Sequence, residues 1–194
     1  MPVPVAPALP VDVHQMDNTT LACYIAGLLA DTGAPAHALC HAIHTSCWRR
    51  LRNHDTWTPD LLTPAEWICM DALDFNGQVG NGGLEQWVVN GYWERGYETC
   101  DALEAIGAPR TARLLHKTLR ALPRRLKAAL DSGVFDESVW CVVGPLRGFG
   151  PRRSAYFDRL DAAYYALGSA ENAEALVAAY ARRAGGDPMP PLAL

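Results

Sequence analysis

The sequence predicts an all-α fold. Helix caps, N-terminal prolines and terminating glycines recur along the chain, and apolar residues return at steps of three and four. The alternation of apolar and polar residues that marks a half-buried strand is almost absent. The expected architecture is a compact multi-helix domain at residues 59–186 with an N-terminal helical pair, 17–58, packed on it. A flexible tail at 1–16 and a Pro-rich tail at 187–194 flank them.

The first helix fits residues 18–31, capped by Asp17 or Asn18, with Leu21, Ile25, Leu28 and Leu29 as its apolar stripe and Gly33 closing it. Pro35 suits the first turn of a second helix that runs to about Arg52. Residues 54–62, with Trp57, Pro59 and Asp60, read as the boundary to the main body. Thr63-Pro64-Ala65-Glu66 starts the next helix, because Thr63 can cap, Pro64 fits the first helical position and Glu66 completes a capping box. That helix is expected to end near Asn76-Gly77, since four glycines in residues 76–83 disfavour helix and indicate a turn or a close backbone approach. Helices resume at 84–90, 94–106 and 109–122, with Gly91 and Gly107 as stops. Residues 134–150 are less regular, with WCVVG a short extended piece, and helices at 153–167 and 170–184 complete the set.

Length, 194 residues, and 49% hydrophobic content suit one globular domain with an appendage. No apolar run reaches the 18 residues of a membrane span, since the most apolar stretch, 21–30, is followed by Asp31 and Gly33. The first ten residues carry prolines and no Lys or Arg, unlike a secretion signal, so a cytoplasmic location is expected. Six cysteines without a CxxC pattern read as reduced, mostly buried thiols.

The formal net charge of -4 excludes a strongly basic nucleic-acid binder, yet it conceals two opposed blocks. Residues 60–107 hold nine acids and one base, Arg95, a net of -8; residues 108–127 hold seven bases and no acid. Glu94, Glu98 and Asp101 step by four and three, which places them on one face of the 94–106 helix, about 5–6 Å apart. Arg110, Arg113, Lys117, Arg120, Arg124 and Lys127 step the same way along 109–127. The bland interpretation is a solvated basic face, or a hairpin in which the two blocks neutralise each other. The sharper ones are an acidic face offered to a protein that normally binds phosphates, and direct nucleic-acid binding by the basic stripe.

The enzyme-like cluster is His37, Cys40, His41, His44 and Cys47, on one broad face of the second helix. A metal held by His37 and His41 with Cys40 or His44 is the chemistry to consider, but the Glu of HExxH is missing and one helix rarely supplies three tetrahedral ligands. Partly buried His and Cys side chains explain the pattern more simply, and neither a metal nor another cofactor is expected. Residues 76–83 lack the GK[ST] of a phosphate loop, no GxSxG occurs, and no catalytic set emerges. The aromatics Trp87, Tyr92, Trp93 and Tyr97 read as core, with Trp93 or Tyr97 as alternative anchors for a partner.

Asn81-Gly82-Gly83-Leu84-Glu85-Gln86-Trp87, with Asn90 after it, resembles the core motif of a bacterial domain-of-unknown-function family that includes a DNA-mimic protein. Ala102-Leu103-Glu104-Ala105-Ile106-Gly107-Ala108 and the stretch from Phe157 through Asp161 to Leu167 match it in the same order, so the resemblance covers about 63–184. The family usually has an acid at Gln78, an Asn at Gly80 and aromatics at Leu84 and Val88. Turn chemistry accounts for the motif itself: Asn81 and Asn90 as helix caps and Gln86 bonding buried backbone. The resemblance implies a non-enzymatic interaction protein whose acids Glu85, Glu94, Glu98, Asp101 and Glu104 face a basic partner, such as a transcriptional regulator. It leaves room for a homodimer, involves no membrane, and makes direct nucleic-acid binding the lesser alternative.

Overall fold

The computed structural model describes residues 12–54, 58–135 and 151–184. The expected extended piece at 140–144 and the C-terminal tail lie outside them, as do residues 1–11. Among the described residues there are eight α-helices and no strand: α1 (Asn18–Ala30), α2 (Ala36–Leu51), α3 (Pro64–Val89), α4 (Gly96–Ile106), α5 (Pro109–Arg120), α6 (Arg124–Ser132), α7 (Pro151–Leu167) and α8 (Ala173–Ala184). None is long and apolar enough to cross a membrane.

Local chemistry sets most of the boundaries. Asp17 caps α1 by accepting from the Thr20 N–H at 2.7 Å. Pro35 occupies the N-cap of α2 itself, one residue before the first turn. The Thr63–Glu66 capping box at the start of α3 is complete in both directions. Gly91 and Gly107 follow α3 and α4 with φ of 88° and 96°, a left-handed conformation that favours glycine.

Helix α3 is the central element and packs against α2, α4, α7 and α8. Helix α8 in turn touches α1, α2, α3 and α4, so the N-terminal pair is packed on the rest of the molecule. One apolar cluster runs from Leu21 and Ile25 through Leu39, Phe75, Trp87, Leu103 and Leu115 to Val177. Arg182 on α8 fastens the α1–α2 connection by donating to Ala34 O at 3.0 Å and Asp31 O at 3.3 Å. Residues 12–16, assigned to the tail by the sequence, form a turn with Val13 buried, and the Arg49 guanidinium donates to the carbonyls of Val13, His14 and Met16.

Two expectations are corrected. Helix α3 does not end near Asn76-Gly77: it continues through Gly77 and Gly80, and the break falls at Gly82 and Gly83. Its weak stretch is braced from α7, where the Tyr164 hydroxyl donates to Asn76 Oδ1 at 2.8 Å and the Tyr165 hydroxyl to Val79 O at 2.7 Å. The basic run 109–127 is likewise not one helix, because Pro123 sits at the N-cap of α6 and divides it from α5.

Candidate functional site

The acids singled out by sequence fall into three environments. Glu98, Asp101 and Glu104 are exposed on α4 and step by three, so their side chains lie near one another. Glu94 precedes α4, in a 3-10 turn at Tyr92–Arg95, and is half-buried. Burial holds its carboxyl above the usual range. Glu85 faces α7, where the Ser154 hydroxyl lies 3.3 Å from its Oε1. Helical spacing counted Glu94 onto the α4 face because the change from 3-10 to α geometry at Gly96 leaves no mark in the charge pattern.

Helices α4 and α5 form the hairpin that the charge blocks suggested, with buried Gly96 against Leu119. Among the described residues no ion pair joins the α4 acids to the α5 bases. Arg110, Arg113, Lys117 and Arg120 are exposed. Lys127, on α6, is engaged locally with Asp131 and the Tyr97 hydroxyl.

The Asn-Gly-Gly motif is a break held from outside. Gly83 adopts φ 78°, and a Cβ there would lie 2.3 Å from Asp161 Oδ2. The Asp161 carboxylate accepts from the Leu84 N–H at 2.8 Å and thereby caps the last turns of α3 from α7. Burial raises the Asp161 carboxyl, and this hydrogen bond opposes the rise. Asn81 is exposed and does not cap; Asn90 occupies the C-cap of α3, and its amide donates to Gln78 Oε1 at 2.7 Å. Gln86 lies 3.5 Å from the same Gln78 oxygen rather than on buried backbone.

The His and Cys residues of α2 diverge. His41 is exposed and meets His14 at 3.2 Å, while Cys40 is buried and bonds Glu174 O. His44 lies 2.9 Å from Asp74 Oδ1 and 3.0 Å from the Trp48 indole nitrogen, both through Nε2. Burial pushes the Cys40 and Cys47 thiols up to about 12, which leaves them protonated and unreactive at neutral pH. No group of three or more metal-ligating side chains converges among the described residues.

Sequence reasoning missed the aromatic cleft between α2, α3 and the Tyr92–Arg95 turn. It encloses about 310 Å³ and is walled by Trp48, Trp67 and Tyr92 over buried Trp87. Asp71, Asp74, Glu94 and Arg95 supply its charge. Arg95 Nε and Nη2 each donate to Asp71 at 2.8 Å, and the guanidinium carbon lies 4.3 Å from the Trp67 ring centre. Burial raises the Asp71 carboxyl even beside this partner. The one signal in the sequence was Arg95, the sole base in a run of nine acids.

A family model described as DMP19-like protein matches residues 60–184. No curated protein and no solved structure matches the chain.

Proposed function

The chain belongs to the DMP19-like protein family, the one its Asn-Gly-Gly motif resembles, and on that premise we propose an interaction protein without catalytic activity. Its acidic α4 face engages a basic partner, a nucleic-acid-binding or regulatory protein, in the place DNA would occupy. The observation that carries this reading is the exposure of Glu98, Asp101 and Glu104 with no ion pair to the neighbouring basic helix among the described residues. Unneutralised carboxylates at helical spacing create a local negative field that attracts lysines and arginines placed to meet phosphates. Glu85 and Glu94 belong to the surrounding field rather than to this face.

The test is affinity capture with the wild type and with Glu98→Gln, Asp101→Asn and Glu104→Gln combined. A partner held by the wild type, lost from the triple variant and displaced by duplex DNA is the expected outcome. The same partners retained by both proteins would remove the reading.

The exposed Arg110, Arg113, Lys117 and Arg120 favour a second reading, direct nucleic-acid binding by α5. Such binding weakens steeply with salt and falls when these four become Ala. Absence of a mobility shift of labelled DNA or RNA at low salt would exclude it.

A further inference from the structure

We propose that His14 and His41 form a surface chelate for one divalent late transition-metal ion such as zinc(II), held through the two Nε2 atoms and completed by water. The site lies where the turn at residues 12–16 meets α2, on elements that the partner reading does not use. The two Nε2 atoms are 3.2 Å apart. Imidazole nitrogens about 2.0–2.1 Å from one tetrahedral zinc stand about 3.3–3.4 Å from each other, so the pair is set close to the bite of the ion. The ring centres are 5.0 Å apart and the ring planes cross at 65°. Two imidazoles meeting in line at this nitrogen spacing would hold their centres about 5.5 Å apart. The rings therefore meet at an angle, as two ligands on one ion do.

Both ligands stand on prepared backbone. The His14 N–H donates to Asp12 Oδ1 at 3.0 Å, the neighbouring Val13 is buried, and Arg49 donates to the carbonyls of Val13, His14 and Met16. His41 sits in the interior of α2. Ligands fixed before the ion arrives lose little freedom on binding it. Both side chains are exposed, which leaves the remaining coordination positions to water. Partial burial, with His14 and His44 beside it, holds the His41 imidazole below its usual range, so at neutral pH it is in the uncharged form that ligates. Imidazole nitrogen suits zinc, copper and nickel rather than hard cations. Two protein ligands instead of three make the site open and exchangeable, and it is not the set that the spacing of histidines along α2 suggested.

The full chain, purified without a polyhistidine tag, is titrated at pH 7.5 with zinc(II) and separately with magnesium(II). Heat of binding is recorded together with the ring C–H resonances of the histidines. We expect one zinc per chain with a Kd of about 10–100 µM, perturbation of the His14 and His41 rings together, and no response to magnesium. His14→Gln and His41→Gln each weaken zinc binding about tenfold or more, whereas His116→Gln, on α5, leaves it unchanged. Thermal melting without metal verifies that all three variants are folded. His37→Gln separates this chelate from a purely helical one. Binding that survives His14→Gln and is lost with His37→Gln places the ion on the i, i+4 pair of α2 and overturns the proposal. Half an ion per chain, equal weakening by His116→Gln, or no saturable heat up to about 1 mM zinc overturns it as well. None of these readouts depends on the α4 acids, so this site and the partner reading fail separately.

Discussion

Asp161 and Gly83, on different helices, hold each other in place: the Asp161 carboxylate caps the N–H of Leu84 at 2.8 Å, and only a residue without a Cβ leaves room for it. Gly83→Ala therefore meets two obstacles, a φ of 78° and a Cβ 2.3 Å from Asp161 Oδ2. A loss of about 1–3 kcal/mol in urea unfolding is expected. Asp161→Ala alone removes the cap and costs about 1 kcal/mol. The double variant loses less than the sum, since the second change removes the clash of the first, and a double-mutant cycle measures that coupling.

Arg95→Ala leaves the Asp71 carboxylate buried without its partner. About 3 kcal/mol of stability is lost at pH 7, read by chemical denaturation. The loss shrinks as pH falls. The Asp71 carboxyl, raised by burial even in the wild type, rises further without Arg95, so protonation relieves the buried charge at a milder pH.

Glu94→Gln probes the same cleft with the opposite sign. Burial raises the folded-state pKa of Glu94, so between the unfolded and folded values the native protein holds more protons, and stability falls as pH rises through that window. The variant escapes this penalty. It is expected to melt slightly above the wild type at pH 7, with the difference closing below the ordinary Glu range, in a paired set of melting curves.

Thiol labelling checks the packing of α2, α3 and α4. Cys23 is exposed, whereas burial pushes Cys40, Cys47, Cys69 and Cys100 up to about 12. In a Cys141→Ser background a chromogenic disulfide reagent at pH 8 should titrate one thiol promptly, and the other four only on addition of denaturant. Prompt reaction of a second thiol in native buffer would contradict the burial of these helices.

Elements whose ends are written in neighbouring residues were legible in the sequence. Asp17 before α1, the Thr63–Glu66 box and the glycines after α3 and α4 each act within a few residues of the boundary they set. The continuation of α3 through Gly77 and Gly80 was not, because about 1 kcal/mol of lost helix propensity per glycine is offset by contacts 80 or more residues away, the tyrosines of α7. The same distance hid the cap on Leu84, since nothing near Asn81 announces that Asp161 will displace it. The aromatic cleft draws on α2, both ends of α3 and the following turn, so no window of sequence contains it.

Helix α8 has a temporal meaning as well. It lies against α1, α2, α3 and α4, and its Arg182 clasps the α1–α2 connection. During synthesis the first pair of helices leaves the ribosome well before the segment that packs on it, with Cys40, which bonds Glu174 O of α8, lacking part of its cover until that helix has emerged. Completion of the core is thus a late event, and the interval before it is when the nascent chain is most open to chaperones and to aggregation.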